Sequence, residues 1–158
     1  MNIDVDPIRH AVASLASALA LGAATAVPAH AALGAAEASV FADQSQMNAT
    51  LLRTVTGAKF TMHELQARSG TVVRQYVAPG GMVFGLAWQG PTMPDLRQLL
   101  GANFDAYVGA VAARRARGPV SVELPGLVVQ SSGHMRAFVG RAYLPQSLPS
   151  GVSAGDVQ

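Results

Sequence analysis

Three runs of strand-forming residues follow one another with almost nothing between them, and this spacing limits the fold more than any other feature. Residues 59–66, 71–78 and 82–89 are rich in Val, Thr, Met and aromatics. Ala67-Arg68-Ser69-Gly70 separates the first two, and Pro79-Gly80-Gly81 the next two. Both linkers are turn-forming. Connections this short cannot carry a crossover, so the strands must run antiparallel, as a meander. If both turns close tightly, Gln66 faces Thr71 and Ala78 faces Gly81. One face then carries Phe60, Met62, Val73, Val77, Met82, Phe84, Leu86 and Trp88. The other carries Thr61, His63, Val72, Arg74, Tyr76, Val83, Gly85 and Ala87. The first reads as a core face and the second as a mixed face with a wet side. Glu64 is out of place on the core face, and a slip of one residue would exchange the faces.

A helix is expected next, over residues 92–117. Thr92 is its N-cap, Asp95 completes a capping box, and Pro94 sits in the first turn. Leu96, Leu99, Leu100, Phe104, Tyr107, Val108 and Val111 recur at helical spacing. Gly101 falls inside the pattern at a cost of about 1 kcal/mol. Arg114, Arg115 and Arg117 close the helix and complement its dipole. Three more strand-like runs follow, at 120–124, 127–131 and 135–144, and Ser39 opens a short N-terminal helix reaching to about Leu52. The expected fold is therefore α+β: a single small domain, an antiparallel sheet of five or six strands, one main helix packed on one face, and a short N-terminal helix. Phe60, Val73, Phe84, Leu86, Leu96, Leu100, Phe104 and Val108 should form one contiguous core.

The first residues read as an address. An apolar run of small residues from Ala11 to Val27 is broken by Pro28 and followed by Ala29-His30-Ala31. This is the order of a cleavable secretory signal, although Asp4 and Asp6 offset Arg9 in a segment that is usually basic. Residues 1–31 are read as the signal peptide and residues 32–158 as the exported domain, periplasmic or secreted. The run falls short of the ~20 strongly apolar residues of a span, so no stable membrane span is expected after cleavage. The chain has no cysteine, which excludes disulfides and thiolate chemistry. Its formal charge is +2, and its arginines are scattered rather than gathered on a stripe, so nucleic acid is not an expected partner.

Chemistry-bearing motifs are sparse. His63-Glu64 is half of a zinc-peptidase motif, but on a strand the two side chains point to opposite faces. Two histidines beyond residue 31 and no cysteine supply no transition-metal set. Ser131-Ser132-Gly133-His134 places a serine near a histidine only within a turn, and no Gly-x-Ser-x-Gly elbow occurs. No catalytic, metal or cofactor residues are therefore assigned. One constellation remains. In the register above His63 faces Arg74, Arg74 faces Gly85, and Tyr76 follows on the same face. A cation, an imidazole and a phenol around a bare glycine could hold a small anion. His134 and Arg136 are its candidate neighbours. The competing reading is a solvated sheet face, with the arginine stem laid over Gly85.

The chain resembles the exported proteobacterial domain-of-unknown-function family 2844. The matching stretches are Met62-His63-Glu64-Leu65, Val73-Arg74-Gln75-Tyr76-Val77, Ala87-Trp88-Gln89-Gly90-Pro91 continuing through Pro94-Asp95-Leu96-Arg97-Gln98-Leu99-Leu100-Gly101, Val128-Val129-Gln130, Ser132-Gly133-His134-Met135-Arg136 and Gly140-Arg141-Ala142-Tyr143. The resemblance spans the whole mature chain. It implies export and the extent of the domain, and carries no activity, cofactor or site. The expected function is a non-enzymatic envelope accessory or binding module. Its expected partner is a protein of the cell envelope, with a small anion as second candidate. The alternative is a small periplasmic hydrolase or transferase.

Overall fold

The computed structural model describes residues 33–114 and 118–158; the signal segment expected at 1–31 lies outside the described residues. Among the described residues the fold is α+β, with a seven-stranded antiparallel sheet. Helix α1 (Ser39–Gln46) precedes a meander of β1 (Thr50–Thr56), β2 (Thr61–Gln66), β3 (Val72–Val77) and β4 (Val83–Gly90). Helices α2 (Leu96–Leu100) and α3 (Phe104–Ala113) cross over to β5 (Val120–Leu124), β6 (Leu127–His134) and β7 (Ala137–Tyr143). The strands lie in the order β1-β2-β3-β4-β7-β6-β5, so β7 joins the two meanders.

The strand beyond the expected five or six is β1. The N-terminal helix stops at Gln46 instead of reaching Leu52, because Asn48 takes a left-handed conformation (φ 47°) and Thr50–Thr56 is rich in strand-favouring residues. A bulge at Leu52 interrupts the pairing of β1 with β2, and Leu52 and Val55 stay about half exposed on this free edge. At the opposite edge Arg114 donates to the carbonyls of Pro119 (3.1 Å) and Ser121 (3.0 Å). That cluster arginine therefore covers carbonyls of an edge strand, a task beyond complementing the helix dipole.

The main helix is shorter and broken. Asp95, not Thr92, is the N-cap, accepting from the backbone N–H groups of Arg97 (2.9 Å) and Gln98 (3.2 Å). The Thr92 side chain meets Thr71 instead. Gly101 (φ 51°) ends α2, and a 3-10 turn leads into α3.

The expected register fails at both turns of the first meander. Ala67 N–H bonds to Thr71 O and Ala78 N–H to Met82 O, so each loop has three residues and closes one position later than expected. Gly70 (φ 87°) and Gly81 (φ 77°) occupy the left-handed position such loops require. His63 consequently faces Gln75, not Arg74, and Glu64 faces Arg74. A bulge at the start of β4 then sets Tyr76 opposite Gly85 and Arg74 opposite Ala87. Val73, Val77, Leu86 and Trp88 do share one core, but His63 and Leu65 join their face, while Met62, Glu64 and Phe84 leave it.

The helices cover the face bearing Leu65, Val73, Leu86, Trp88, Val129 and Ala142. The other face is not simply wet. After β7 the chain turns back, and Leu148, Val152 and Val157 pack on Tyr76, Phe84, Ala87 and Tyr143. The expected single core is thus two clusters on opposite faces of the sheet, and Val108 is 44% exposed.

Candidate ligand-binding groove

The register lines up one polar row across all seven strands. Arg53 pairs with Glu64, Glu64 with Arg74, Arg74 with Ala87, Ala87 with Arg141, Arg141 with Gln130 and Gln130 with Ser121. These residues point away from the helices. Beside this row runs Gln89–Val139–Ser132. The returning C-terminal segment covers only part of this face. The remainder is a groove of about 810 Å³, lined by Arg74, Gln89, Ser121, Gln130, Ser132, Val139 and Arg141. Val157 and Gln158 also border it.

The polar side chains here are held. Arg141 donates Nε–H to Gln130 Oε1 (2.8 Å) and Nη1–H to Ala154 O (2.8 Å). Arg74 donates Nε–H to Glu64 Oε2 (2.7 Å) and Nη1–H to Gln158 O (3.3 Å). Glu64 also accepts from Arg53 (3.2 Å). The Arg74 hydrogen bond is the main reason the Glu64 carboxyl sits below the usual carboxylate range, against the opposing effect of burial.

Glu64 therefore has a defined stability signature. Its native form binds a proton less readily than the unfolded chain does, so its contribution is present above the ordinary carboxylate range and is lost as pH falls through its lowered native value. Glu64→Gln is expected to cost about 1–3 kcal/mol at neutral pH. Its deficit should shrink on acidification, as read from urea midpoints at stepped pH. A deficit independent of pH would show that the charge contributes nothing.

The sequence-derived constellation does not form one row. His63 lies on the helix-covered face, buried, with Nδ1 3.0 Å from Thr54 Oγ1, Nε2 2.9 Å from Glu37 Oε1 and Phe41 edge-on at 6.3 Å. Arg74 and Tyr76 share the opposite face, as expected. The space over Gly85, however, is filled by Val157, and the Tyr76 hydroxyl donates to Gln158 O (2.6 Å). Burial raises the Tyr76 phenol above its ordinary value. His134 and Arg136 are exposed at the β6–β7 hairpin tip, four or more positions beyond Gln130. There Met135 (φ 43°) and Arg136 (φ 69°) take left-handed conformations.

The sequence reading missed Arg141, Gln130, Gln89, Ser121 and Ser132. They meet only because β7 pairs with β4, and no turn in the sequence announces that pairing. Among the described residues no three His, Asp or Glu side chains gather as a metal set, and no helix is long and apolar enough to cross a membrane.

The chain belongs to the DUF2844 family, described as proteins of unknown function, whose family model matches residues 29–157. No curated protein and no solved structure matches the chain.

Proposed function

We propose that this domain is an exported binding module of the bacterial cell envelope that holds a ligand without transforming it. The groove carries the reading. Its volume lies within the ~300–1,000 Å³ of small-ligand sites. The described side chains lining it are guanidinium, amide, hydroxyl and aliphatic groups, with no carboxylate or imidazole among them. These groups suit recognition better than proton transfer. The groove also favours a small ligand over the protein partner expected from the sequence. The signal-like segment supports a periplasmic or secreted location, with maturation before Ala32.

Native mass spectrometry of the protein purified from its own host tests this reading. The expected protein begins at Ala32 and carries a small-molecule adduct. Val139→Trp should abolish that adduct by filling the groove from an exposed position. Retention of Met1, an adduct indifferent to Val139→Trp, or conversion of the bound molecule into a product would each refute part of the proposal.

A further inference from the structure

The groove contains one cation without an anion. Arg74 is paired with Glu64 at 2.7 Å, a carboxylate it shares with the more exposed Arg53. Arg141 has no carboxylate partner among the described residues; its two bonds go to the neutral oxygens of Gln130 and Ala154. Those bonds fix the guanidinium plane through Nε and Nη1, and Nη2 has no partner among the described residues. A guanidinium held in place beside a groove offers a planar, oriented donor edge, which suits the two coplanar oxygens of a carboxylate.

The neighbours of Arg141 determine what surrounds that carboxylate. Gln130 accepts with Oε1 and so presents its amide N–H groups, while Ser121, Ser132 and Gln89 present hydroxyls and an amide. Val139 adds apolar surface. Such a lining matches a ligand rich in hydroxyl groups with a C–H face.

The fold also argues against two other ligands. Many phosphate sites add free backbone N–H groups to their arginines, whereas the floor strands β4, β7 and β6 are each paired on both sides. An added peptide strand needs an open edge; the free edge at β1 lies outside the groove lining, and at β5, the edge beside the groove, the carbonyls of Pro119 and Ser121 already accept from Arg114.

From this we infer that the groove binds a hydroxylated carboxylate of the sugar-acid class, with Arg141 seating the carboxylate and Ser121, Gln130, Ser132 and Gln89 reading the hydroxyls. The inference rests on the binding-module reading and supplies its ligand class.

The test is titration of the isotope-labelled full chain, followed by NMR, with three probes: a short oligogalacturonide, its methyl ester, and inorganic phosphate. The acid is expected to bind at the groove residues, with the ester at least ten-fold weaker and phosphate weaker still. Arg141→Ala should reduce acid binding to the level of the ester. Arg141→Lys, which keeps the charge but loses the planar fork, should fall between. Val139→Trp, which leaves Arg141 in place, should abolish binding of both sugars. Equal binding of acid and ester, tighter binding of phosphate, or no binding of any probe overturns the sugar-acid class. In each of those cases the binding-module reading survives if Val139→Trp still removes the native adduct, and falls with it if the adduct persists.

Discussion

Substituting Gly140 by valine is expected to cost about 3 kcal/mol or more, and even alanine should cost about 1–3 kcal/mol. A Cβ at this position would lie 2.3 Å from Trp88 Cζ2, 2.5 Å from Cε2 and 2.7 Å from the backbone oxygen of Gln130. None of these can move aside easily. Trp88 is 1% exposed and packed within the helix-covered core, and Gln130 belongs to the neighbouring strand. Gly140 also directly opposes Trp88 in the β4–β7 pairing, so the indole occupies the space that a side chain would need. Trp88→Ala alone should cost about 3–5 kcal/mol through lost contacts and a cavity. In that background Gly140→Ala should cost less than half of what it costs in the wild type, because the two closest contacts, both with the indole, are gone. Urea denaturation of the two single variants and the double variant measures this coupling. A Gly140→Ala variant as stable as the wild type would remove the argument. The contact matters beyond stability, because it fixes β7 against β4 and so sets Arg141 beside Ala87 at the floor of the groove.

What the sequence disclosed follows the range of the interactions involved. The meander was legible because its turns are local and carry Gly and Pro. The alternation of Val73, Val77, Leu86 and Trp88 survived because the second turn and the bulge at the start of β4 each shift the register by one, and two shifts restore the parity. The first turn has no such compensation, so all of β2 changed face. Glu64 had marked that error, as a lone acid on what was otherwise a core face. Leu51-Leu52 hid β1, because the bulge at Leu52 breaks the alternation by which a strand is recognised. The Arg74–Ala87–Arg141–Gln130–Ser121 row was beyond reach, since it depends on pairing between strands some fifty residues apart in the chain. Nor does Val152 or Val157 announce by periodicity that the tail will cover Phe84 and Tyr76.

Asp43 supplies the second large effect. It is fully buried on α1 and accepts from Gln75 Nε2 on β3 (2.8 Å) and from Gln98 Nε2 on α2 (2.6 Å). One carboxylate thus ties both helices to the sheet. Asp43→Ala removes the charge-assisted hydrogen bonds from Gln75 and Gln98 and leaves the amide of Gln75, itself 0% exposed, without its acceptor. The expected cost is about 3–5 kcal/mol, at roughly 1.5–3 kcal/mol for each such bond. Asp43→Asn separates hydrogen bonding from charge. Its amide oxygen can still accept from Gln98. Its amide nitrogen can donate to Gln75 once that side chain flips to present Oε1, an atom that has no partner among the described residues. The asparagine variant should therefore lose only about 1 kcal/mol, and Asp43→Asn combined with Gln75→Leu should lose the benefit of the flip. Guanidinium denaturation of the three variants decides the matter. Equal damage from alanine and asparagine would mean that the charge itself, not the pattern of donors and acceptors, holds α1 and α2 against the sheet. A loss below 1 kcal/mol for alanine would mean that apolar packing around Val40, Leu99 and Leu100 already fixes both helices, leaving the polar join to select their register.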